Sequence, residues 1–175
     1  TITVQDTTDP TFVETLPANI TVECSVIPQP EVLTAIDNCG TATVAFTEST
    51  TPGNCTGNYT ITRTWTATDL CNNQTVYTQT VTVQDTTDPT FVGDLPANIT
   101  VECSAVPAPA TLTASDNCGT ATVTFNQTNT PGNCAGAYTI TRTWTATDSC
   151  GNDTVYSQII TVQDTTAPTF TTPAP

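Results

Sequence analysis

The chain has 175 residues, with 16 acidic and only two basic side chains, and it contains no histidine and no methionine. Both basic residues are arginines, so a histidine base, a Schiff-base lysine and a histidine metal ligand are all excluded. A net charge of -14 repels nucleic-acid phosphates and anionic lipid, which need Lys or Arg to neutralise them, and no apolar run is long enough to insert in a membrane.

In chain order, Thr1-Ile2-Thr3-Val4-Gln5 repeats the pattern of Thr80-Val81-Thr82-Val83-Gln84. Residues 1–5 are therefore expected to be the last strand of a preceding module, in a longer exported chain. Next comes Asp6-Thr7-Thr8-Asp9-Pro10, which recurs as Asp85-Thr86-Thr87-Asp88-Pro89 and, with one change, as Asp164-Thr165-Thr166-Ala167-Pro168. Two carboxylates three residues apart before a proline suit a stiff joint that binds an ion. Adding 79 to a position carries Cys24 to Cys103 and Trp65 to Trp144, and most of the first half onto the second in the same way. This internal repeat is the strongest signal in the sequence. The expected organisation is a module at 6–84, a second at 85–163, and the start of a third module or a linker at 164–175.

Within a module, short segments rich in Thr, Val, Ile and aromatics alternate with period two between Gly, Pro, Asn and Asp clusters, and no helical period is present. The expected fold is all-β, a tandem array of immunoglobulin-like β-sandwiches held by disulfides. Ile20 and Val22 face inward on one strand. Leu33 and Ala35 follow on a second, and Ala42, Val44 and Phe46 line a third. Tyr59, Ile61, Trp65 and Ala67 line the fourth, and Tyr77, Val81 and Val83 the last. Arg63 and Arg142 share the inward face with Trp65 and Trp144 and are expected to be structural. Glu23 and Glu102 are their expected carboxylate partners, as the acids present in both modules away from the joints.

Eight cysteines without zinc-type spacing read as disulfides and an oxidising compartment. If the segment ending at Cys24 descends, the strands at 33–37, 41–48, 58–69 and 75–84 alternate up, down, up, down. Cys39 and Cys71 then turn at one pole, and Cys24 and Cys55 at the other. Of three possible connectivities this favours Cys24 with Cys55 and Cys39 with Cys71, and in the second module Cys103 with Cys134 and Cys118 with Cys150. The pole of the preceding joint gathers Asp6, Asp9, Asp37, Asp69 and Asn73, and its counterpart gathers Asp85, Asp88, Asp116, Asp148 and Asn152. So many oxygen ligands in one place suit a hard cation, calcium above all.

The Ala67-Thr68-Asp69 ending, Asp148-Ser149-Cys150-Gly151-Asn152, the Asp-Asn-Cys-Gly turn and the closing Val-Gln-Asp-Thr-Thr resemble hyalin-repeat (HYR-like) modules. The likeness extends to the cysteine-containing form found in tandem in surface proteins and gliding adhesins of Bacteroidota. That resemblance implies an immunoglobulin-like sandwich and export to the cell surface or a secreted filament. It also implies an O-glycosylation pattern with sugars on Thr7, Thr86, Thr165 and Thr154. The resulting expectation is a non-enzymatic structural segment of a calcium-rigidified, O-glycosylated extracellular fibre or stalk, with further copies of the module as partners. The alternative is an adhesin that binds glycans or neighbouring cells through its loops.

Overall fold

Alternation of apolar and threonine residues commits this sequence to strands, and a computed structural model describes residues 1–170 of the protein. There are two compact units. The first comprises Thr1–Thr87 together with Asn117–Gly119, and the second comprises Asp88–Asp116 and the described residues from Thr120 onward. Of the segment 164–175, residues 171–175 lie outside the described residues.

The first unit runs β1 (Thr11–Phe12), β2 (Ile20–Glu23), β3 (Ala35–Asp37), β4 (Gly40–Thr41), β5 (Thr43–Pro52), β6 (Tyr59–Thr68) and β7 (Gln74–Gln84). The order β2-β7-β6-β5 makes a four-stranded sheet and β1-β3-β4 a three-stranded one. β2 pairs parallel with β7, Ile20 opposite Val81, whereas β5, β6 and β7 are antiparallel. For β2, β5, β6 and β7 the strand directions expected from the sequence are thus the observed ones.

The second unit contains β8 (Thr90–Val92), β9 (Ile99–Glu102), a 3-10 turn at Cys103–Ala105, β10 (Thr113–Ser115), β11 (Thr122–Cys134), β12 (Ala137–Thr147) and β13 (Asp153–Gln163). Its large sheet is β11-β12-β13-β9, again with the last strand parallel to its edge neighbour, and β10-β8 forms the small sheet. Each unit is an immunoglobulin-like sandwich.

The core follows from the period of two. Ile61, Trp65, Ala67, Val81 and Val83 are buried, as are Ile140, Trp144, Ala146, Ile160 and Val162. Ile20, Val22, Ile27 and Tyr59 pack on Ile61, Val81 and Val83. Burying each large aliphatic contributes about 1.5–3 kcal/mol. Two expectations differ in detail. Leu33 is buried but lies outside any strand. Phe46 is 42% exposed, although its ring centroid is 5.2 Å from that of Trp65. It sits on β5, the edge of its sheet, so only one flank of the ring has a strand beside it.

The proline-rich segments before β1 and between β1 and β3 cannot build ladders, because proline has no N–H to donate. Their carbonyls are instead met by side chains reaching out of β6 and β7. Trp65 Nε1 donates to the Glu31 carbonyl at 3.0 Å, Tyr77 Oη to Pro17 at 2.5 Å, Gln79 Nε2 to Ala18 at 2.7 Å and Thr75 Oγ1 to Pro10 at 2.5 Å. The second unit repeats these bonds from Trp144, Tyr156, Gln158 and Thr154.

Arg63 belongs to the same system. It is buried, and its guanidinium donates to the Pro28 carbonyl at 2.6 Å, to Gln79 at 3.5 Å and to Glu48 at 2.9 Å. Arg142 donates to the carbonyls of Pro107 at 2.6 Å and Ala108 at 3.4 Å, and to Gln127 at 3.0 Å. The expected Glu23 and Glu102 partners are therefore replaced by Glu48 and Gln127. Cross-strand register is the reason, since Glu48 lies directly opposite Arg63 and Gln127 opposite Arg142. Glu23 instead accepts from Thr86 Oγ1 at 2.6 Å and from Thr86 N at 3.3 Å, and Glu102 makes the same contacts with Thr165.

Candidate functional site

Three segments of the first unit bring carboxylates together. Asp6 comes from the first joint, Asp37 from the end of β3 and Asp69 from the turn after β6, and their oxygens lie within 4.8 Å of one another. Each Asp folds one oxygen back onto the backbone two residues ahead. Asp6 Oδ1 accepts from Thr8 N at 3.1 Å, Asp37 Oδ1 from Cys39 N at 2.8 Å and Asp69 Oδ1 from Cys71 N at 2.8 Å. These are Asx turns, the usual reason for Asp at such positions. Asp37 Oδ2 is buried with no hydrogen-bond partner. Burial pushes the Asp69 carboxyl up, but hydrogen bonds from the Asn73 side chain and from the backbone at 71–73 outweigh it and hold the group below its ordinary value.

Asn73 works as a clamp, its amide nitrogen donating to Asp69 Oδ2 at 2.7 Å and to the Asp6 carbonyl at 3.4 Å. Asp9 is exposed and stands apart from the three converging carboxylates, sharing the wall of a cleft with Asp37. In the second unit Asp148 is held as Asp69 is: burial raises its carboxyl, and bonds from Asn152, Cys150 and Gly151 carry it below its ordinary value. Asn152 Nδ2 donates to Asp148 Oδ2 at 2.7 Å. Asp116 is half-buried just after β10, and Asp88 is exposed. Asn72, at φ +69, and Gly151, at φ +92, both occupy the left-handed region. The two turns thus share one backbone shape despite the substitution, because Asn tolerates that region.

Asp85 is buried in the first unit, its N–H donating to Asn58 Oδ1 at 2.8 Å and its Oδ1 accepting from Thr87 N at 3.2 Å. A Cβ added at Gly57 would lie 2.5 Å from the Asp85 Cβ, and one at Gly136 would lie 2.6 Å from that of Asp164. Sequence reading missed this close approach. Its signal was the glycine two residues before each Tyr that starts the inward face of β6 or β12.

The disulfides differ from those expected. Cys24 is bonded to Cys118, with a Cα–Cα distance of 5.8 Å, and the Asn117–Gly119 turn carrying Cys118 belongs to the first unit. Cys55 and Cys150 are also disulfide-bonded. Cys39, Cys71, Cys103 and Cys134 are exposed thiols. Strand direction assigns a cysteine to an end of the sheet but says nothing of its lateral place. Cys24 follows β2 and Cys55 follows β5, on opposite edges of β2-β7-β6-β5. Three spacings of about 4.8 Å put them roughly 14 Å apart, beyond the reach of a disulfide, about 7 Å between Cα atoms. Cys103 and Cys134 stand on opposite edges in the same way. Cys39 and Cys71 do share a pole, each on its own Asx turn, but Cys118, the counterpart of Cys39, is committed to Cys24 rather than to Cys150. Burial pushes the Cys39 thiol up, and the charges of Asp6, Asp37, Cys71 and Asp69 add to the shift.

Residues 12–83 and 91–162 each match the HYR-like domain with 4 cysteines. The chain belongs to that family. In this HYR-like chain the two copies are in tandem, and all four cysteines of each fall inside its matched span. No curated protein matches it. Among solved structures it is similar to Drosophila N-cadherin EC1-4, at 13% identity and TM-score 0.32, over 89% of this chain and 50% of that one. It is also similar to protocadherin gamma C5 EC1-3, at 11% identity and TM-score 0.30, over 88% of this chain and 68% of that one. The chain spans about half the length of the N-cadherin structure.

Among the described residues no helix is long and apolar enough to cross a membrane. Four clefts among the described residues have volumes of 190–280 Å³, each below the roughly 300–1,000 Å³ of small-molecule sites.

Proposed function

We propose that this chain is a structural segment of an extracellular surface fibre or stalk, built from HYR-like sandwiches in tandem. The observation that carries the reading is the Cys24–Cys118 bond, which ties the first family copy covalently to a turn of the second. Such a tie resists separation of the repeats, and disulfides of this kind persist outside the reducing cytosol. The role needs no catalytic group, in keeping with a chain that lacks histidine and lysine.

Calcium at Asp6, Asp37 and Asp69 is the second part of the proposal. The donor set fits a hard cation: all ligands are oxygen, one carboxylate oxygen is buried without a partner, and no basic side chain is at hand to neutralise the cluster. Extracellular calcium modules bind at about 10⁻⁴–10⁻³ M. Millimolar calcium should therefore raise the melting temperature of the intact chain, magnesium should do less, and Asp37→Asn should abolish the response. An unchanged melting temperature with calcium and with chelator would sink the calcium reading. O-glycosylation is supported best at Thr7, which is exposed. The hydroxyls of Thr86, Thr165 and Thr154 already donate to Glu23, Glu102 and the Pro89 carbonyl, and a sugar there would remove those bonds. Intact mass and glycopeptide mapping of the native protein tests this part.

A further inference from the structure

The large sheet of each unit ends in a long edge strand, β5 in the first and β11 in the second. Among the described residues no strand pairs with the outer side of either. An antiparallel edge strand turns the N–H and C=O of every second residue outward. Such an edge is usually protected by a charge, a proline or a bulge. β11 is exposed from Thr124 to Cys134, and its ladder with β12 runs in register as far as Pro131. Residues 122–130 contain neither a charge nor a proline. This is an open template for another strand.

Substitution between the repeats separates the two edges. β5 carries Glu48, and Glu31 stands in the wall of the cleft that Phe46 lines; the counterparts on and beside β11 are Gln127 and Ala110. No acidic residue lies between Asp116 and Asp148. In a chain of net charge -14, this neutral strip is where an equally acidic chain can approach without setting carboxylate against carboxylate. A basic partner would find its counter-charges on β5 instead. Phe125 is 45% exposed, with its ring centroid 5.2 Å from that of Trp144, and it lines a cleft of 210 Å³. Like Phe46, it has a strand beside only one flank.

We propose that β11 docks antiparallel on β11 of a second copy of this chain, with Phe125 opposite Phe125, so that the two β11-β12-β13-β9 sheets become one. In that register Thr124 faces Asn126 of the second copy, Val123 faces Gln127, and Thr122 faces Thr128. Residues of one face meet residues of the same face. Each Phe125 covers the open flank of the other, as an aromatic cross-strand pair, and the outward backbone groups of residues 122–128 gain partners. The contact is isologous and closes at a dimer. It goes beyond the stalk reading by adding side-by-side association, and it stands without that reading.

The test is sedimentation equilibrium of the full chain, with thiols alkylated so that no covalent dimer contributes. A monomer–dimer equilibrium should appear and should tighten as salt rises from about 0.01 to 0.15 M, because salt screens the repulsion between the acids elsewhere on the two copies. Thr124→Glu with Asn126→Glu sets carboxylates directly opposite at two places and should weaken the dimer about tenfold or more. Thr124→Glu with Asn126→Lys sets a carboxylate opposite an ammonium at the same two places and should restore it. Ala45→Glu with Thr47→Glu, the matching positions on β5, should leave the dimer unchanged. All four positions are exposed, and an unaltered circular dichroism spectrum verifies that each variant folds. A chain that stays monomeric at every salt concentration would overturn the proposal and leave this edge to a strand of a different protein. So would a Glu–Glu variant that dimerises like the native chain, a Glu–Lys variant no better than the Glu–Glu one, or loss of the dimer in the β5 variant. None of these outcomes touches the stalk reading, whose own readout is the Cys24–Cys118 bond.

Discussion

Replacing Arg63 by methionine separates two roles that a buried arginine can have. Arg63 is 3% exposed, and its guanidinium makes one ion pair, with a Glu48 side chain that is 39% exposed. The half-exposed carboxylate would rehydrate once the arginine is gone, so the ion pair itself should contribute no more than about 1 kcal/mol. The Pro28 carbonyl at 2.6 Å and the Gln79 amide oxygen would instead be left without their donor, at about 1–3 kcal/mol for a buried group. Together with lost packing, Arg63→Met should cost roughly 2–4 kcal/mol. In a unit of this size that lowers the melting temperature by about 10 °C or more. Glu48→Gln reproduces the bond that Gln127 already makes with Arg142 and should cost under about 1 kcal/mol. Thermal and urea unfolding of the two variants gives both numbers. Equal losses would show that charge, not the carbonyl anchor, holds this arginine, and a loss below about 0.5 kcal/mol for Arg63→Met would refute the anchor altogether.

Cys24→Ser with Cys118→Ser opens a closure spanning 94 positions, worth about 4–5 kcal/mol in the chain-entropy model, to be read from denaturant midpoints. Gly57→Ala should cost roughly 1–3 kcal/mol because its new methyl meets the Asp85 Cβ rather than a flexible tip. Gly93→Ala, with open space around it but φ +86, should cost about 1 kcal/mol through backbone strain alone. Acid should weaken the fold through Glu14, Glu23, Asp69 and Asp148, all held below their ordinary values. The sign is that of depressed carboxyls: their contribution is complete above the unfolded value and lost as pH falls through the folded one. Melting temperatures should therefore be flat near neutrality and fall below about pH 4. Thr86→Val should return the Glu23 titration, followed by NMR, part of the way toward the ordinary carboxylate value, because it removes the Thr86 hydroxyl, the largest cause, and keeps the N–H.

Period two was enough to choose the inward faces of β6 and β7, because a strand shows one face to the core at every second residue. Counting strand directions was enough to bring Asp37 and Asp69 to the first joint. Lateral order was not legible, since β2 pairs with the last strand rather than with its sequence neighbours, and the disulfide expectation failed there. Glu48 was within reach. Placing Phe46 against Trp65 fixes the register, and that register sets Glu48 opposite Arg63. Requiring an acid in both repeats hid it, because the second repeat uses Gln127. The buried oxygen of Asp37 could not be read from sequence, as it depends on how three loops close over one another.

The two arginines have a consequence for survival outside a cell. A trypsin-like protease needs a basic side chain in its specificity pocket and several residues of extended chain around it. This polypeptide offers such a residue at two places only. Both are in the middle strand of a three-strand ladder, Arg63 between Glu48 and Gln79 and Arg142 between Gln127 and Gln158, with the side chain turned inward. Cutting at either needs that ladder to open first, which in a core strand approaches global unfolding. The folded surface is thus blank to an entire class of digestive enzymes, a useful property for material left in the open.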